Sequence, residues 1–399
     1  MEREDFVRLA SPGGQLLLDQ LDYSSDTDVL KLVAGLRKAG HDPMTVAAVL
    51  TQAKLRKRAV AKFGDFASSM LFTEAGLEQA SRLKVAALHA GRFRAAGVKE
   101  VADLGCGIGA ESMALAALDI KVRAFEIDEV TAAVATYNLA AFENVTVELA
   151  NVEEHDLSSF EALFFDPARR ELNGPKKAEA QRHFDPANYS PNFDFCLSAA
   201  RTKPTGIKLG PGHDKRQIPN DAEAQWVSVD GDLVELGLWF GSVKREQVSR
   251  SALLLTSDGQ HEISSSEAES PNAPLGELGR YIYEPDNSLI RSRLMSDFAE
   301  PFGLQTISPD IAYLSSDEKI SSPWVRGFEI IDNLVFDRKQ LKAYVKKNKI
   351  GILEIKKRGS DISPEELRRE LSPKGEGAAT LVVTRVGDAH RVLVTQPIS

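Results

Sequence analysis

The chain has few cysteines, no long apolar stretch and no excess of positive charge. Its 399 residues include only two cysteines, which excludes a disulfide framework and is typical of a reducing compartment. No apolar run is long enough to span a bilayer, and the amino terminus lacks the basic and apolar regions of a secretory signal. The net charge of −9 argues against a uniformly basic nucleic-acid-binding coat. We therefore expect a cytoplasmic, non-membrane protein of about two or three domains.

The most informative segment is a short apolar strand that ends in a glycine-rich turn and opens a helix. Residues 101–104 have the character of a buried parallel strand, and helix formers occupy 110–118. The turn between them contains Gly105, Gly107 and Gly109. Glycine permits positive φ and close approach of a ligand, which the amides at the helix start then face. The segment predicts a nucleotide-like cofactor site, although nicotinamide-dependent enzymes have similar spacing.

Acidic residues follow two further apolar strands. Residues 120–125 lead to Glu126, whose carboxylate could accept both hydroxyls of a ribose. Residues 162–165 run directly into Asp166. Ligands bind at the carboxyl ends of the strands in open α/β sheets, so both acids are candidate site residues.

Three motifs, in this order and spacing, resemble class I S-adenosylmethionine-dependent methyltransferases. They are Asp103-Leu-Gly-Cys-Gly-Ile-Gly, Phe125-Glu-Ile-Asp128 and Phe164-Phe-Asp-Pro-Ala-Arg169. The resemblance implies S-adenosyl-L-methionine as cofactor. In that family the first acid and the glycines surround the methionine part, the acid after the second strand binds the ribose, and the loop after the fourth strand faces the methyl acceptor. The implied cofactor contacts are Asp103, Gly105, Cys106, Gly107, Gly109, Glu126, Ile127, Asn151 and Val152.

Asn151 departs from the family pattern, which often has an acid near the adenine amino group. An amide oxygen can accept the same hydrogen bond. The family also often closes the segment before the first strand over the cofactor, which implies Thr73 and Gln79 as further contacts. Thr73 equally has the position of a helix cap.

The part of the chain before residue 99 has helical spacing of its apolar residues. Asp42 and Pro43 form a helix start with proline in the first turn. This helix is basic, and its cationic residues are Lys54, Arg56, Lys57, Arg58 and Lys62. A solvated helix face and an RNA-facing patch both account for that pattern.

A long polar insert separates the fourth strand from the next one near residues 206–209. Such loops are usually functional or mobile. Arg170 at its start and Lys208 in the following glycine-proline turn are candidate RNA contacts on the acceptor side. An ordinary turn is the alternative for Lys208.

The carboxyl-terminal part predicts a small domain with the order βαβαββ, in which Ser363 and Glu366 form a capping box. It resembles the THUMP-like domain attached to a group of bacterial class I methyltransferases. The motifs that carry this resemblance are Gly76-Leu-Glu-Gln-Ala80, Asp166-Pro-Ala-Arg169, Tyr283-Glu-Pro-Asp286 and Ile355-Lys-Lys-Arg-Gly359. THUMP domains proper bind RNA in tRNA-modifying enzymes, so the resemblance implies an RNA partner. The candidate phosphate contacts are Lys346, Lys347, Lys356, Lys357 and Arg358, with a merely solvated surface as the alternative.

The expected fold class is α/β, with a Rossmann-like class I methyltransferase sheet, an amino-terminal helical domain and a small carboxyl-terminal α+β domain. We predict a helical domain at 1–98, a methyltransferase domain at 99–262, a linker and connecting helix at 263–325, and a THUMP-like domain at 326–399.

The candidate catalytic residues are Asp166 and Arg169. Asp166 could orient a nucleobase amine or accept its proton. Base amino-methyltransferases place an aromatic residue, which stacks on the flipped base, where this chain has Arg169. A guanidinium could stack by its plane or hold a phosphate.

Other chemistries find less support in the sequence. Carbon methylation of a pyrimidine needs a cysteine nucleophile, but Cys106 belongs to the glycine turn and Cys196 to no motif. The histidines have no metal-ligand spacing. RNA methylation, of tRNA or rRNA, is the leading hypothesis. Methylation of a protein or small molecule stays open, as does an RNA-binding protein that retains the cofactor fold without turnover.

Overall fold

The computed structural model describes residues 1–21, 23, 28–169 and 189–398. Arg170 and the rest of the predicted polar insert, up to residue 188, lie outside the described residues. The chain divides into two compact units, Met1–Gln217 with Leu238–Arg245 and Ile218–Gly237 with Glu246–Ser399. The finer division into four segments stays a prediction.

The first unit begins with helices, as the apolar spacing predicts. They are α1 (Arg3–Ala10), α2 (Pro12–Asp19), α3 (Val29–Lys38), α4 (Pro43–Phe63), α5 (Glu74–Gln79) and α6 (Leu83–Ala95). The Asp42 carboxylate caps α4 by accepting from the Thr45 amide at 2.9 Å, which confirms the predicted start. A bend at residues 80–82 separates α5 from α6, because Ala80 and Arg82 have extended ψ angles of 140° and 132°.

Most strands of the first unit form one parallel sheet. The strands are β1 (Glu100–Leu104), β2 (Lys121–Glu126), β3 (Val145–Leu149), β4 (Ala162–Phe165), β5 (Ala168–Arg169), β6 (Tyr189–Ser190) and β7 (Thr205–Leu209). The helices among them are α7 (Ala110–Ala116), α8 (Glu129–Leu139) and α9 (Phe193–Ala200). Five strands run parallel in the order β7-β4-β1-β2-β3, while β5 and β6 form a separate antiparallel pair.

The order of these strands creates a topological switch point. From β1 the chain adds β2 and β3 on one side, and then returns to place β4 on the other side. The crossover helices diverge there, so a crevice opens at the carboxyl ends of β1 and β4. Both strands are almost wholly buried, as strands covered on two faces must be.

The second unit begins with antiparallel and parallel strands and two short helices. They are β8 (Glu223–Val229), β9 (Asp232–Phe240, whose last residues belong to the first unit), β10 (Arg250–Thr256), β11 (Gly259–Ser265), β12 (Tyr281–Pro285), α10 (Asn287–Arg291), α11 (Met295–Ala299), β13 (Gln305–Thr306) and β14 (Leu314–Ser316). The connecting helix expected within 263–325 corresponds to two short helices, α10 and α11. The chain turns between them near Arg293, whose φ is +58°.

The carboxyl-terminal elements confirm the predicted βαβαββ order. They are β15 (Val325–Val335), α12 (Arg338–Lys347), β16 (Ile350–Lys357), α13 (Pro364–Leu371), β17 (Gly377–Val386) and β18 (Ala389–Pro397). With β12, β13 and β14 they form one seven-stranded sheet. Leu341 of α12 and Leu367 of α13 pack with Leu381 and Val392 of the sheet, because each helix presents one apolar face.

None of the helices in the described ranges is long and apolar enough to cross a membrane.

Candidate functional site

Asp103 is a fully buried carboxylate at the switch point. Its Oδ2 accepts a hydrogen bond from the Ser112 hydroxyl at 2.5 Å. Among the residues that the structure describes, its Oδ1 has no hydrogen-bond partner. Burial is the largest influence and raises the pKa of Asp103 to about 7, although the Ser112 bond acts in the opposite direction. An unsatisfied buried acceptor is costly, so this oxygen is suited to a donor supplied by a ligand.

The glycine turn beside Asp103 is packed at both ends and open in the middle. Gly105, Gly107 and Gly109 have φ angles of +95°, +54° and +94°, which L side chains rarely adopt. A Cβ on Gly105 would lie 3.2 Å from the Asp166 carbonyl oxygen, and one on Gly109 would lie 2.9 Å from Leu139. A Cβ on Gly107 would meet nothing within 4 Å. The backbone at Gly107 is therefore where a ligand can approach.

Glu126 links the second motif to the glycine turn. Its Oε2 accepts from the Gly107 amide at 3.0 Å, and its Oε1 accepts from the amides of Ile127 and Asp128 at 2.8 and 3.0 Å. Burial raises the pKa of Glu126, while the three amide bonds oppose that shift. Carboxylate oxygens have about four acceptor positions, so ribose hydroxyls can still bind. The neighbouring Ile127 side chain is 58% exposed and can cover a flat apolar group.

Asn151 forms the start of a short turn after β3. Its Oδ1 accepts from the Glu153 amide at 3.2 Å, and its Nδ2 donates to Glu154 at 2.8 Å. Val152 next to it is buried. The local turn accounts for both residues, and their cofactor contacts stay predictions.

Thr73 acts as a helix cap, because its Oγ1 accepts from the Gly76 amide at 2.9 Å. This observation confirms the cap interpretation. Gly76 leaves no space for a Cβ against Ile108 of the glycine turn, so α5 packs directly on that turn. The side chain of Gln79 is exposed, and its contact with the cofactor stays a prediction.

Residues 70–81, which we call the strap, are bonded to the rest of the unit by buried side chains that sequence reasoning missed. Gln52 bonds to the Phe72 amide and carbonyl, at 3.0 and 2.6 Å. Asn138 bonds to the Leu71 amide and carbonyl and to the Ile108 carbonyl, at 2.8, 3.0 and 3.0 Å. For Asn138 the available signal was an amide side chain within the mostly apolar α8, since a buried amide must find partners. Gln52 lies in the basic α4, where its residue type gave no such signal.

Lys62 bonds to the carboxyl-terminal end of α5. Its Nζ donates to the carbonyls of Leu77, Glu78 and Ala80 at 2.9, 2.7 and 2.7 Å, and burial lowers its pKa to about 8. Two other cations of the predicted basic face also have bonds within the unit: Arg56 to the Met70 carbonyl and Arg58 to Glu74. These contacts favour a structural role for that face.

Asp166 and Lys208 form an ion pair at the carboxyl ends of β4 and β7. Lys208 Nζ lies 2.5 Å from Asp166 Oδ2, and it also donates to Ser81 Oγ at 3.1 Å and to the Gln79 carbonyl at 3.3 Å. The Lys208 side chain is only 10% exposed. The ammonium of Lys208 is thus engaged inside the unit, and the RNA contact expected of Lys208 stays a prediction.

His89 and Glu111 form a second buried pair that the sequence did not indicate. His89 Nδ1 lies 3.1 Å from Glu111 Oε2, and both residues are buried. Burial alone would raise the pKa of Glu111, but the His89 ring and the Ser81 hydroxyl outweigh it and lower that pKa. The interior beside the site thus contains several compensated charges.

Arg169 lies in β5, where its backbone pairs with Tyr189 of β6. Arg170 is outside the described residues. The acceptor side of the site is thus described up to the start of the polar insert. The roles expected for both arginines stay predictions.

The two cysteines are buried. Burial raises the pKa of both the Cys106 and the Cys196 thiol, which disfavours the thiolate that a nucleophile requires. Within the parts of the chain that the structure describes, no group of three or more His, Cys, Asp or Glu could hold a metal ion.

The candidate RNA-binding residues of the carboxyl-terminal domain fall into two groups. Lys346, Lys347 and Lys357 are exposed. Lys356 Nζ instead lies 2.6 Å from Glu284 Oε2. Arg358 donates to the Ala312 carbonyl at 2.6 Å. The structure thus joins the motif around Glu284 to the motif at 355–359. Lys356 and Arg358 both have partners in their own unit, and the phosphate contacts expected of them stay predictions.

The residues of the first unit fit the cofactor that the sequence resemblance implies. Asp103 offers an acceptor oxygen for an ammonium group, Gly107 offers open backbone, and Glu126 offers a carboxylate for hydroxyl groups. These features lie at the carboxyl ends of β1 and β2 and in the turn after β1, where nucleotide cofactors bind in this type of sheet.

Comparisons with known proteins agree with this geometry. A family model described as THUMP domain-like matches residues 325–397, and one described as Domain of unknown function (DUF8688) matches residues 2–59. A crystal structure described as a "putative methyltransferase" from Porphyromonas gingivalis W83 is similar over 99% of this chain and 98% of its own, with a TM-score of 0.69 and 21% identity. That likeness shows the fold.

Two curated proteins are similar over most of the chain. Each is an uncharacterized S-adenosylmethionine-dependent methyltransferase of Mycobacterium tuberculosis, from strain CDC 1551 / Oshkosh and strain ATCC 25618 / H37Rv respectively. Each is 32% identical over 342 residues, which cover 84% of this chain and 91% of the relative. The chain therefore belongs to the S-adenosylmethionine-dependent methyltransferases and carries a THUMP-like domain at its carboxyl-terminal end.

Proposed function

We propose that this methyltransferase acts on RNA, such as tRNA or rRNA. The observation that carries the proposal is the THUMP-like domain in the same chain as the cofactor site. Lys346, Lys347 and Lys357 of that domain are exposed and can neutralise phosphates from the solvent side. Arg170 would add a further phosphate contact on the acceptor side.

The cofactor is held by residues of the first unit. When bound, S-adenosylmethionine supplies an electrophilic methyl group on a good leaving group. Asp103 and the glycine turn bind the methionine part, and Glu126 accepts hydrogen bonds from the ribose hydroxyls. Ile127 and Val152 cover the adenine, and Asn151 accepts a hydrogen bond from its amino group.

Asp166 is the residue that we propose to orient the methyl acceptor. Its carbonyl packs against Gly105, so its carboxylate lies beside the cofactor turn. There it orients an acceptor amine by accepting a hydrogen bond, which holds the attacking atom in line with the methyl group. Arg169 follows closely in the chain and stacks on the base or binds a neighbouring phosphate.

The direct test is a comparison of modified nucleosides, by mass spectrometry, in RNA from cells with and without the protein. RNA from the deficient cells then serves as substrate for the purified protein with S-adenosylmethionine carrying a labelled methyl group. We expect one methylated nucleoside to disappear in the deficient cells and the label to enter that nucleoside in vitro. The matched control is the Asp103→Asn variant, which we expect to transfer about 10- to 100-fold less label when S-adenosylmethionine is below saturation.

Other outcomes separate the remaining hypotheses. Label in nuclease-resistant material would replace RNA by a protein or small-molecule acceptor. Binding of S-adenosylhomocysteine and RNA without any transfer would instead indicate an RNA-binding protein without turnover, contrary to the proposal.

A further inference from the structure

Lys208 joins Asp166 to the strap. Its Nζ bonds to the Asp166 carboxylate at 2.5 Å and to Ser81 and Gln79 of the strap at 3.1 and 3.3 Å. An ammonium has three donors, so Lys208 can bond to the carboxylate and to the strap at the same time. The position of the carboxylate is therefore coupled to the strap.

Both ends of this coupling lie on the glycine turn. On one side, the Asp166 backbone packs against Gly105 and its amide donates to the Leu104 carbonyl at 3.4 Å. On the other side, Gly76 of the strap packs against Ile108. A displacement of Lys208 would thus move the carboxylate relative to the turn that binds the methyl donor.

Other, half-buried lysines of the same unit bond only to backbone carbonyls, as a purely structural lysine does. Lys203 Nζ bonds to the carbonyls of Leu157, Ser158 and Phe160, at 2.6, 3.1 and 2.7 Å. Lys62 likewise bonds to three carbonyls of the strap. Lys208 differs from both because a carboxylate at the acceptor edge is its shortest contact.

We infer that Lys208 is a positioning residue, which holds the Asp166 carboxylate beside the methyl donor by bonding it to the strap. This inference rests on the proposed role of Asp166 in orienting the acceptor. A carboxylate with one oxygen held by an ammonium has a single preferred orientation, and misplacement by about 1 Å can cost about 100-fold in rate.

Several charged groups surround this pair and share its electrostatic environment. Burial raises the pKa of the Asp103 and Glu111 carboxyls, and the positive charge of Lys208 lowers it. Lys62 and Lys208 repel each other as like charges. The charged groups that interact with Lys208 are Asp103, Asp166, Glu111 and Lys62. His89 acts in turn on Glu111, and Arg82 acts on Lys62. Removal of one positive charge should therefore also make ionisation of Asp103 harder.

The test compares Lys208→Met with the wild type, with Lys208→Arg and with the matched control Lys62→Met. We expect Lys208→Met to lower kcat for RNA methylation about 100-fold while the Kd of S-adenosylhomocysteine at pH 8 changes less than about threefold. Lys208→Arg should recover at least about tenfold of the lost kcat. In an Asp166→Asn background the further loss caused by Lys208→Met should shrink to less than about threefold.

The contrary result is equally concrete. Unchanged kcat in Lys208→Met, or an equal loss in Lys62→Met, would mean that Lys208 serves the strap and not Asp166. A full additional loss in the Asp166→Asn background would overturn the inference as well. Lys208→Gln, which keeps a donor without charge, replaces Lys208→Met if the latter does not fold.

A second readout needs no methyl acceptor and separates this inference from the proposed function. Calorimetry measures the affinity for S-adenosylhomocysteine across pH. The pH at which this affinity begins to fall should be at least about half a pH unit higher for Lys208→Met than for the wild type. Lys62→Met should leave that pH unchanged. If the wild type methylates no RNA, the proposed function fails by itself. Identical pH profiles for Lys208→Met and the wild type would then refute the inference.

Discussion

The cofactor site and the THUMP-like domain use their charged residues in opposite ways. Beside the glycine turn, Asp103, Glu111 and Lys208 are buried. Glu111 is paired with His89 and Lys208 with Asp166, whereas Asp103 bonds to the Ser112 hydroxyl. In the THUMP-like domain, Lys346 and Lys347 at the end of α12 are exposed to solvent. The first arrangement orients a small ligand, while the second can attract an extended anion without fixing its position.

The difference shows why charge counts along the sequence predict little. Lys356 and Lys357 are neighbours in one basic motif. Strand alternation places the first against Glu284 and leaves the second exposed. A buried ion pair contributes through its geometry, whereas an exposed lysine contributes through its reach into solvent.

The largest expected effect comes from removing the buried charge of the cofactor site. Asp103→Asn should raise the Kd of S-adenosylhomocysteine about 10- to 100-fold, because a charged hydrogen bond is worth about 1.5–3 kcal/mol. At pH 8 the free energy of unfolding of the same variant should be about 1–2 kcal/mol higher than that of the wild type, because burying a charged carboxylate is costly. Calorimetry and urea denaturation measure the two quantities.

The matched control is Asp119→Asn, since Asp119 is an exposed carboxylate of the same unit with a φ of +59° that asparagine tolerates. It should change neither quantity. Cofactor binding of Asp103→Asn that equals the wild type would remove Asp103 from the site.

The next effect is a pH dependence of cofactor binding. RNA binding by the THUMP-like domain should not show the same pH dependence. Burial raises the pKa of Asp103 from 3.8 to about 7. The ligand's ammonium group prefers the ionised carboxylate, so affinity for S-adenosylhomocysteine should fall about tenfold for each pH unit below 7. Calorimetry between about pH 5.5 and 8.5 measures this slope, and Asp103→Asn should flatten it.

The stability of the folded protein should change with pH in the opposite direction to the cofactor affinity. The folded protein binds the Asp103 proton more tightly than the unfolded chain, because its folded pKa is the higher one. This contribution to stability is complete below about pH 4 and is lost as the pH rises through about 7. The stability advantage of Asp103→Asn over the wild type should therefore grow across that range, and a constant difference would contradict the assignment.

The smallest effect is expected on the exposed side of the comparison. Replacing Lys346, Lys347 and Lys357 together by glutamine should weaken RNA binding about 5- to 30-fold at low salt. It should also make the plot of log affinity against log salt shallower by about two, because fewer counterions are released. Filter binding at several salt concentrations measures both, and the Kd of S-adenosylhomocysteine should not change.

Lys356→Gln is the control within the same motif. It leaves Glu284 without its closest cation, so it should lower the stability of the protein by about 1 kcal/mol. RNA affinity should stay within about twofold of the wild type. Equal losses of RNA affinity for Lys356→Gln and Lys357→Gln would erase the distinction between paired and exposed lysines.

Much of the first unit could be predicted from the sequence because its signals are local. Strands β3 and β4 begin and end where the apolar runs do, and Asp42 and Thr73 cap their helices as their residue types indicate. The break between α5 and α6 was missed because residues 80–82 contain no proline or glycine. The cause lies in the bonds that Lys62 and Lys208 make to this bend, and those bonds come from distant parts of the chain.

By itself the sequence determined the fold that binds the methyl donor, because a strand, a glycine turn and a helix start are specified within about a dozen residues. It also determined the order of the carboxyl-terminal elements, for the same local reason. Only the tertiary structure decided which charges meet. Lys208 reaches Asp166 because β7 lies beside β4 in the sheet, and His89 reaches Glu111 because α6 packs on α7. Contacts of that kind depend on strand order and helix packing, which no local pattern encodes.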